Sequence, residues 1–184
     1  MSEGTSPSRI PLLERDQVTP EVANVYDALQ KTRGVVPNMF KTLAHTPALA
    51  LATAGYLKAL LSDGALPGFY KELIATRLSV LLGSEYATRA HALSARQKGA
   101  TDDQIAASQG DYENGPFTDA EKLGFRAAER LHRSAAEITD EFFADLKQHF
   151  SDPQIVELIA AASAFELFPR LVDALRIPIT PAPK

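Results

Sequence analysis

The chain contains no cysteine, no tryptophan and only two methionines in 184 residues. Without cysteine there can be no disulfide, no thiolate metal site and no thiol redox chemistry. Basic residues are not in excess either: Lys+Arg number 19 against Asp+Glu 23, a formal net charge of −4. A surface that tracks phosphates needs a basic stripe, so no nucleic-acid partner is expected. Long apolar runs are missing as well. The run at 78–83 falls far short of the roughly 18–20 residues that a membrane span requires. The N-terminal stretch MSEGTSPSRIPLLERD has neither an early positive cluster nor an apolar h-region, which argues against a secretory signal. These absences together point to a cytoplasmic protein with no membrane or nucleic-acid partner.

What is present fits one folded domain. Hydrophobic residues make up 45% and charged residues 23%, close to globular averages. A chain of this length buries about 70% of its unfolded surface, enough for a core without staples. Residues 1–18 read as an extended N-terminal arm, 19–176 as a single all-α domain, and 177–184, with three prolines, as a tail.

Helix punctuation is dense between the arms. Thr19-Pro20 and Thr46-Pro47 each place a capping hydroxyl before a proline at the first helical position. Thr101 to Gln104, Thr118 to Glu121 and Ser151 to Gln154 all carry the capping-box pattern. Gly34, Gly64, Gly99 and Gly110 fall where helices begun at such caps would end. The spacing predicts helices near 20–32, 37–44, 47–62, 68–82, 85–98, 102–108, 119–134, 140–149 and 152–175. Pro169 predicts a kink or a break in the last of these. No segment alternates with period two, so the fold class is all-α. Helices 47–62 and 68–82 are apolar around most of their circumference and need cover on more than one side. A homo-oligomer is therefore expected.

Candidate chemistry concentrates between residues 66 and 104. Glu72, Thr76 and Ser79 fall at i, i+4 and i+7, a polar stripe on an otherwise Leu-, Ile- and Val-rich helix. After Gly83, the positions Ser84, Ala87 and His91 share one face of the next helix. A helix–Gly–helix hairpin would bring the stripes together and set Glu72 near His91. His45, His132 and His149 are scattered and lack ligand spacing, and no metal or other cofactor is expected. No phosphate loop or dinucleotide fingerprint occurs.

Glu72 followed by positions 84, 86, 87 and 91 has the spacing of the alkylhydroperoxidase D-like / carboxymuconolactone decarboxylase family. Val36-Pro37-Asn38 with Phe40, His45-Thr46-Pro47, Gly83-x-x-Tyr86, Gly99-Ala100-Thr101, the Phe117 to Glu121 stretch, Phe150-Ser151-Asp152 and the segment 170–178 also resemble it. The resemblance spans nearly the whole chain and is strongest to the longer, peroxidase-related members. It implies a central helix–Gly–helix pair and a homo-oligomer (dimer, trimer or hexamer). In the thiol-peroxidase branch it implies a Cys-x-x-Cys dithiol at the second helix's N-terminus.

Here the two thiol positions are Ser84 and Ala87. Neither can cycle redox equivalents, so peroxiredoxin-type activity would be present in family name only. The decarboxylase branch, by the same resemblance, lacks the dithiol, keeps a histidine near position 91 and works without cofactor on a carboxylated lactone. This favours a cofactor-independent lyase, decarboxylase or isomerase of a small acidic or lactone-like metabolite. The expected catalytic residues are His91 as acid–base group, Glu72 as its orienter and Tyr86 as a donor to a developing oxyanion. Ser84, Ala87, Thr76 and Arg77 are the expected substrate-binding positions, although helix phase does not clearly put Arg77 on the Glu72 face. The alternative is a non-catalytic ligand-binding or assembly protein that keeps the fold without the chemistry.

Overall fold

The structure is a computed structural model, and it describes residues 8–183. The part of the N-terminal arm at 1–7 and the terminal residue 184 lie outside the described residues. Among the described residues there is no β-strand. The helices are α1 (Pro20–Arg33), α2 (Asn38–Leu43), α3 (Pro47–Leu61), α4 (Gly68–Leu81), α5 (Glu85–Gln97), α6 (Asp102–Gln109), α7 (Asp119–Arg133), α8 (Asp140–His149) and α9 (Asp152–Ala174), with short 3-10 turns at Arg15–Gln17 and Ala135–Glu137. Two compact units are distinguished: residues 1–59 with 171–184, and residues 60–170.

Local chemistry explains the boundaries. The Thr101 and Thr118 hydroxyls accept from Gln104 N and Glu121 N, and the Gln104 and Glu121 side chains return the bond to the cap amides. Gly34 ends α1 in the left-handed region at φ 74°, where a Cβ would be strained. Helix α9 runs through Pro169 as one element, so of the expected kink or break the break does not occur.

In the first unit, Val22, Ala23 and Tyr26 of α1 and Met39, Phe40 and Leu43 of α2 form the buried centre. The chain ends are tied to it. Leu13 N donates to Lys41 O at 3.1 Å, and the Asn38 side-chain amide donates to Pro178 O at 3.0 Å.

The second unit is built on α4, where residues 70–76 are all buried. Helices α5, α6 and α7 pack against it. Tyr70 donates to Glu121 O at 2.6 Å and approaches α7 at Gly124, where any side chain would collide with it. Between α4 and α5 the chain reverses at Gly83 (φ 69°), and Ser84 N donates to Ser79 O at 2.9 Å. Ser84 then caps α5, accepting from Ala87 N. This tight reversal lays the two polar stripes against each other. Leu49, Leu51 and Tyr56 of α3 remain exposed in the single chain.

Candidate functional site

Glu72 sits in the middle of α4 with no exposed surface. A carboxylate taken out of water needs both hydrogen bonds and a countercharge. Helix α5 supplies them. The His91 Nδ1 lies 2.7 Å from Glu72 Oε2. On the other oxygen, Oε1, the Ser94 hydroxyl donates at 2.6 Å and the Lys98 ammonium at 2.6 Å. Lys98 also donates to Leu61 O at the last residue of α3, 2.7 Å away.

A carboxylate only accepts, so Nδ1 carries the hydrogen in this contact. That fixes the ring's tautomer and leaves Nε2 with no hydrogen bond to the described protein. The imidazole meets the Phe165 ring of α9 edge-on, centroids 4.4 Å apart. Its side chain is 13% exposed, so Nε2 is shielded but not sealed.

The other expected residues fall into distinct settings. Ser84 is fully buried and spends its oxygen on the α5 cap; Ala87 and Tyr86 are buried beside it on the first turn. The Thr76 hydroxyl donates to Glu72 O at 2.8 Å and the Ser79 hydroxyl to Ala75 O at 2.7 Å. Both thus return to their own helix, so they lower the polarity of the stripe that the sequence displays. Arg77 is not brought to Glu72. Its guanidinium pairs with Glu129 of α7 at 2.7 Å, donates to Gly110 O and lies over the Tyr112 ring.

Two residues of this cluster escaped the sequence reading, namely Ser94 and Lys98. The signal was available: positions 84, 87, 91, 94 and 98 continue one helical face, and the stripe extends a full two turns past His91. Beside the cluster, Lys71 is fully buried and pairs at 2.7 Å with Glu157, which also accepts from Ala65 N and Leu66 N. His132 lies 2.7 Å from Glu166, whose second oxygen accepts from Arg170. Among the described residues no three His, Asp or Glu side chains are grouped to hold a metal ion. No helix among them is long and apolar enough to cross a membrane.

Residues 47–130 match the model of the carboxymuconolactone decarboxylase family. That stretch holds Glu72, His91, Ser94 and Lys98. No curated protein matches the sequence. Among solved structures, the chain is similar to an uncharacterized peroxidase-related protein from Ralstonia eutropha JMP134, described as an alkylhydroperoxidase AhpD core. The TM-score is 0.87 at 24% identity, over 95% of this chain and 93% of that one. A second uncharacterized peroxidase-related protein, from Silicibacter sp. TM1040, gives 0.88 at 22% identity over 99% and 96%. A third likeness is to the debrominase Bmp8 in complex with 2,3,4-tribromopyrrole, with TM-score 0.84 at 22% identity over 97% and 95%. At such identities the likeness shows the fold, which is alkylhydroperoxidase D-like.

Proposed function

We propose, from the family of residues 47–130, that the chain is a cofactor-independent acid–base enzyme acting at an enolisable carbon of a small acidic or lactone-like metabolite. The observation that carries this reading is the His91 geometry. Nδ1 is held by a buried carboxylate, and Nε2 is left unengaged beside an aromatic wall. An imidazole fixed in that way accepts a proton at Nε2. The C–H electron pair moves into the adjacent carbonyl to give an enolate. The imidazolium then returns the proton to another carbon in an isomerisation. In a decarboxylation the C–CO2 electron pair forms the enolate as CO2 leaves, and His91 passes to it a proton that Nε2 has taken from solvent. Tyr86 is the proposed donor to the enolate oxygen.

Thiol-peroxidase chemistry has no carrier here, because the chain holds no cysteine. That a protein of the same fold holds a halogenated pyrrole supports a small-molecule ligand for this one. The exposed Leu49, Leu51 and Tyr56 of α3 support self-association. A second reading, a binding protein without chemistry, draws on the saturation of Glu72: among the described residues, every buried side-chain nitrogen or oxygen has a partner.

The test is incubation in D2O with carboxylated butenolides and β-keto acids, followed by mass spectrometry for deuterium uptake or loss of CO2. Wild-type protein should catalyse one of these reactions, and His91→Ala should lose about 10²–10⁴-fold. Turnover unaffected by His91→Ala would remove the assignment. Binding with no exchange anywhere in the panel favours the second reading.

A further inference from the structure

We infer that Lys98 is a positioning residue that keeps His91 a neutral imidazole, by serving as the countercharge of the buried Glu72 carboxylate. The inference deepens the acid–base reading above and rests on it.

Glu72 is wholly buried, so one negative charge must be balanced nearby. Two groups stand close enough. His91 approaches Oε2 at 2.7 Å, and Lys98 approaches Oε1 at 2.6 Å. An alkylammonium carries its charge at neutral pH unaided, whereas an imidazole near pH 7 is divided between two states. The Lys98 ammonium is also fixed in place. It donates to the Leu61 carbonyl at the C-terminal end of α3, where the helix dipole favours a cation. Ser94 completes Oε1 with a neutral donor.

Glu72 and Lys98 therefore cancel, and a proton on His91 would leave one uncompensated positive charge against a buried group. The neighbouring cations are paired elsewhere. Lys71 is committed to Glu157, Arg96 to Asp102 and Arg89 to Glu85. On α9, Glu166 is held by His132 and Arg170, and the group facing His91 is the Phe165 ring. Without Lys98, the cation paired with the carboxylate among the described ion pairs would be a protonated His91. The ring would then carry hydrogens on both nitrogens and have no lone pair with which to take a proton from carbon.

Protein with 15N-labelled histidine, studied by long-range proton–nitrogen correlation at pH 7, reads this directly. His91 is assigned by the signal that disappears in His91→Gln. Wild type should show a protonated Nδ1 and a pyridine-type Nε2. Lys98→Met should show two protonated nitrogens, while Lys98→Arg and Ser94→Ala should resemble wild type. Where Lys98→Met fails to fold, Lys98→Gln tests the same loss of charge. An imidazolium in wild type, a neutral ring in Lys98→Met or Lys98→Gln, or a changed state in Ser94→Ala would each overturn the inference. None of these readouts needs a substrate. Failure of the acid–base reading shows instead as turnover that survives His91→Ala, so the two failures are told apart.

Discussion

The ion pair between Lys71 and Glu157 offers the sharpest stability test. Lys71 is 1% exposed and Glu157 is 29% exposed, at a separation of 2.7 Å. The same carboxylate accepts from Ala65 N at 2.9 Å and Leu66 N at 3.0 Å, and so ties α9 to the turn that leads into α4. Gly64 permits this approach, since a Cβ there would stand 2.3 Å from Glu157 Oε1. Glu157→Ala leaves an ammonium buried without a partner, which costs about 3–5 kcal/mol. Two freed amides in a partly wet turn add about 1 kcal/mol at most. At roughly 2–4 °C per kcal/mol for a chain of this size, Tm should fall by about 6–24 °C. The double variant Lys71→Met/Glu157→Gln removes the orphaned charge and should recover most of the loss.

The same pair shapes the acid limb of stability. Burial pushes the Glu157 carboxyl upward, but the Lys71 ammonium and the two amides outweigh it and hold the group below its ordinary 4.5. A carboxyl depressed in the folded state stabilises fully above its unfolded value. That contribution is lost as pH falls below about 4.5 and through the folded value. Urea titrations from pH 7 to pH 3 should therefore show a steep acid loss in wild type that Glu157→Gln flattens. Two results would refute the reasoning: Glu157→Ala within about 1 kcal/mol of wild type, or a double variant as unstable as the single one.

Glu72→Gln keeps the shape at the base of the site but turns the amide toward Nδ1, so His91 must carry its hydrogen on Nε2. By analogy with the Asp-to-Asn exchange in a serine-protease triad, turnover should fall by about 10²–10⁴-fold and stability by about 1–3 kcal/mol, read by kinetics and urea melts. Gly124→Ala puts a Cβ 2.1 Å from the Tyr70 hydroxyl oxygen and 3.2 Å from the carbon that bears it. It should cost about 1–3 kcal/mol, and adding Tyr70→Phe should relieve most of that in a double-mutant cycle. Wild-type protein should not reduce organic hydroperoxides with dithiol donors, whereas Ser84→Cys/Ala87→Cys should acquire a thiolate reactive toward alkylating probes, because position 84 caps α5. Peroxide turnover by the metal-free wild type would contradict the chemistry.

Helix ends were legible because their chemistry is local. A threonine hydroxyl, a glutamate three residues on and a terminal glycine announce themselves within one turn, as Thr118, Glu121 and Gly34 do. The two polar stripes were legible from periodicity, and the positive φ at Gly83 supplied the reversal that joins them. What periodicity does not carry is the direction in which a hydroxyl spends its hydrogen. Thr76 and Ser79 share a face with Glu72 in sequence, yet both bond back to their own helix. Arg77 looked available, but its partners, Glu129 and the Gly110 carbonyl, lie 52 and 33 residues away. Lys98 was hidden for a related reason. A lysine at a helix C-terminus usually reads as solvated, and only the tertiary position of Leu61 and Glu72 turns it inward.

A buried ionic group adds little to stability, and apolar replacement of a whole cluster is often neutral or stabilising by about 1–4 kcal/mol. Helix α4 is otherwise lined with Leu73, Ile74, Ala75 and Leu78, all with no exposed surface, and nothing in that packing calls for a carboxylate at position 72. The triple variant Glu72→Leu/His91→Leu/Lys98→Met removes the charges together and leaves no charge unpaired; the Ser94 hydroxyl can return to its own helix, and the Leu61 carbonyl at the end of α3 loses its Lys98 donor. Its midpoint in urea should equal or exceed that of wild type, while Glu72→Leu alone, which strands Lys98 beside apolar atoms, should be less stable than either. Such a pattern would mean that the three side chains do not hold the fold together and are there for the proton at Nε2. A triple variant weaker than wild type by more than about 3 kcal/mol would make the cluster a structural tie and His91 a packing residue.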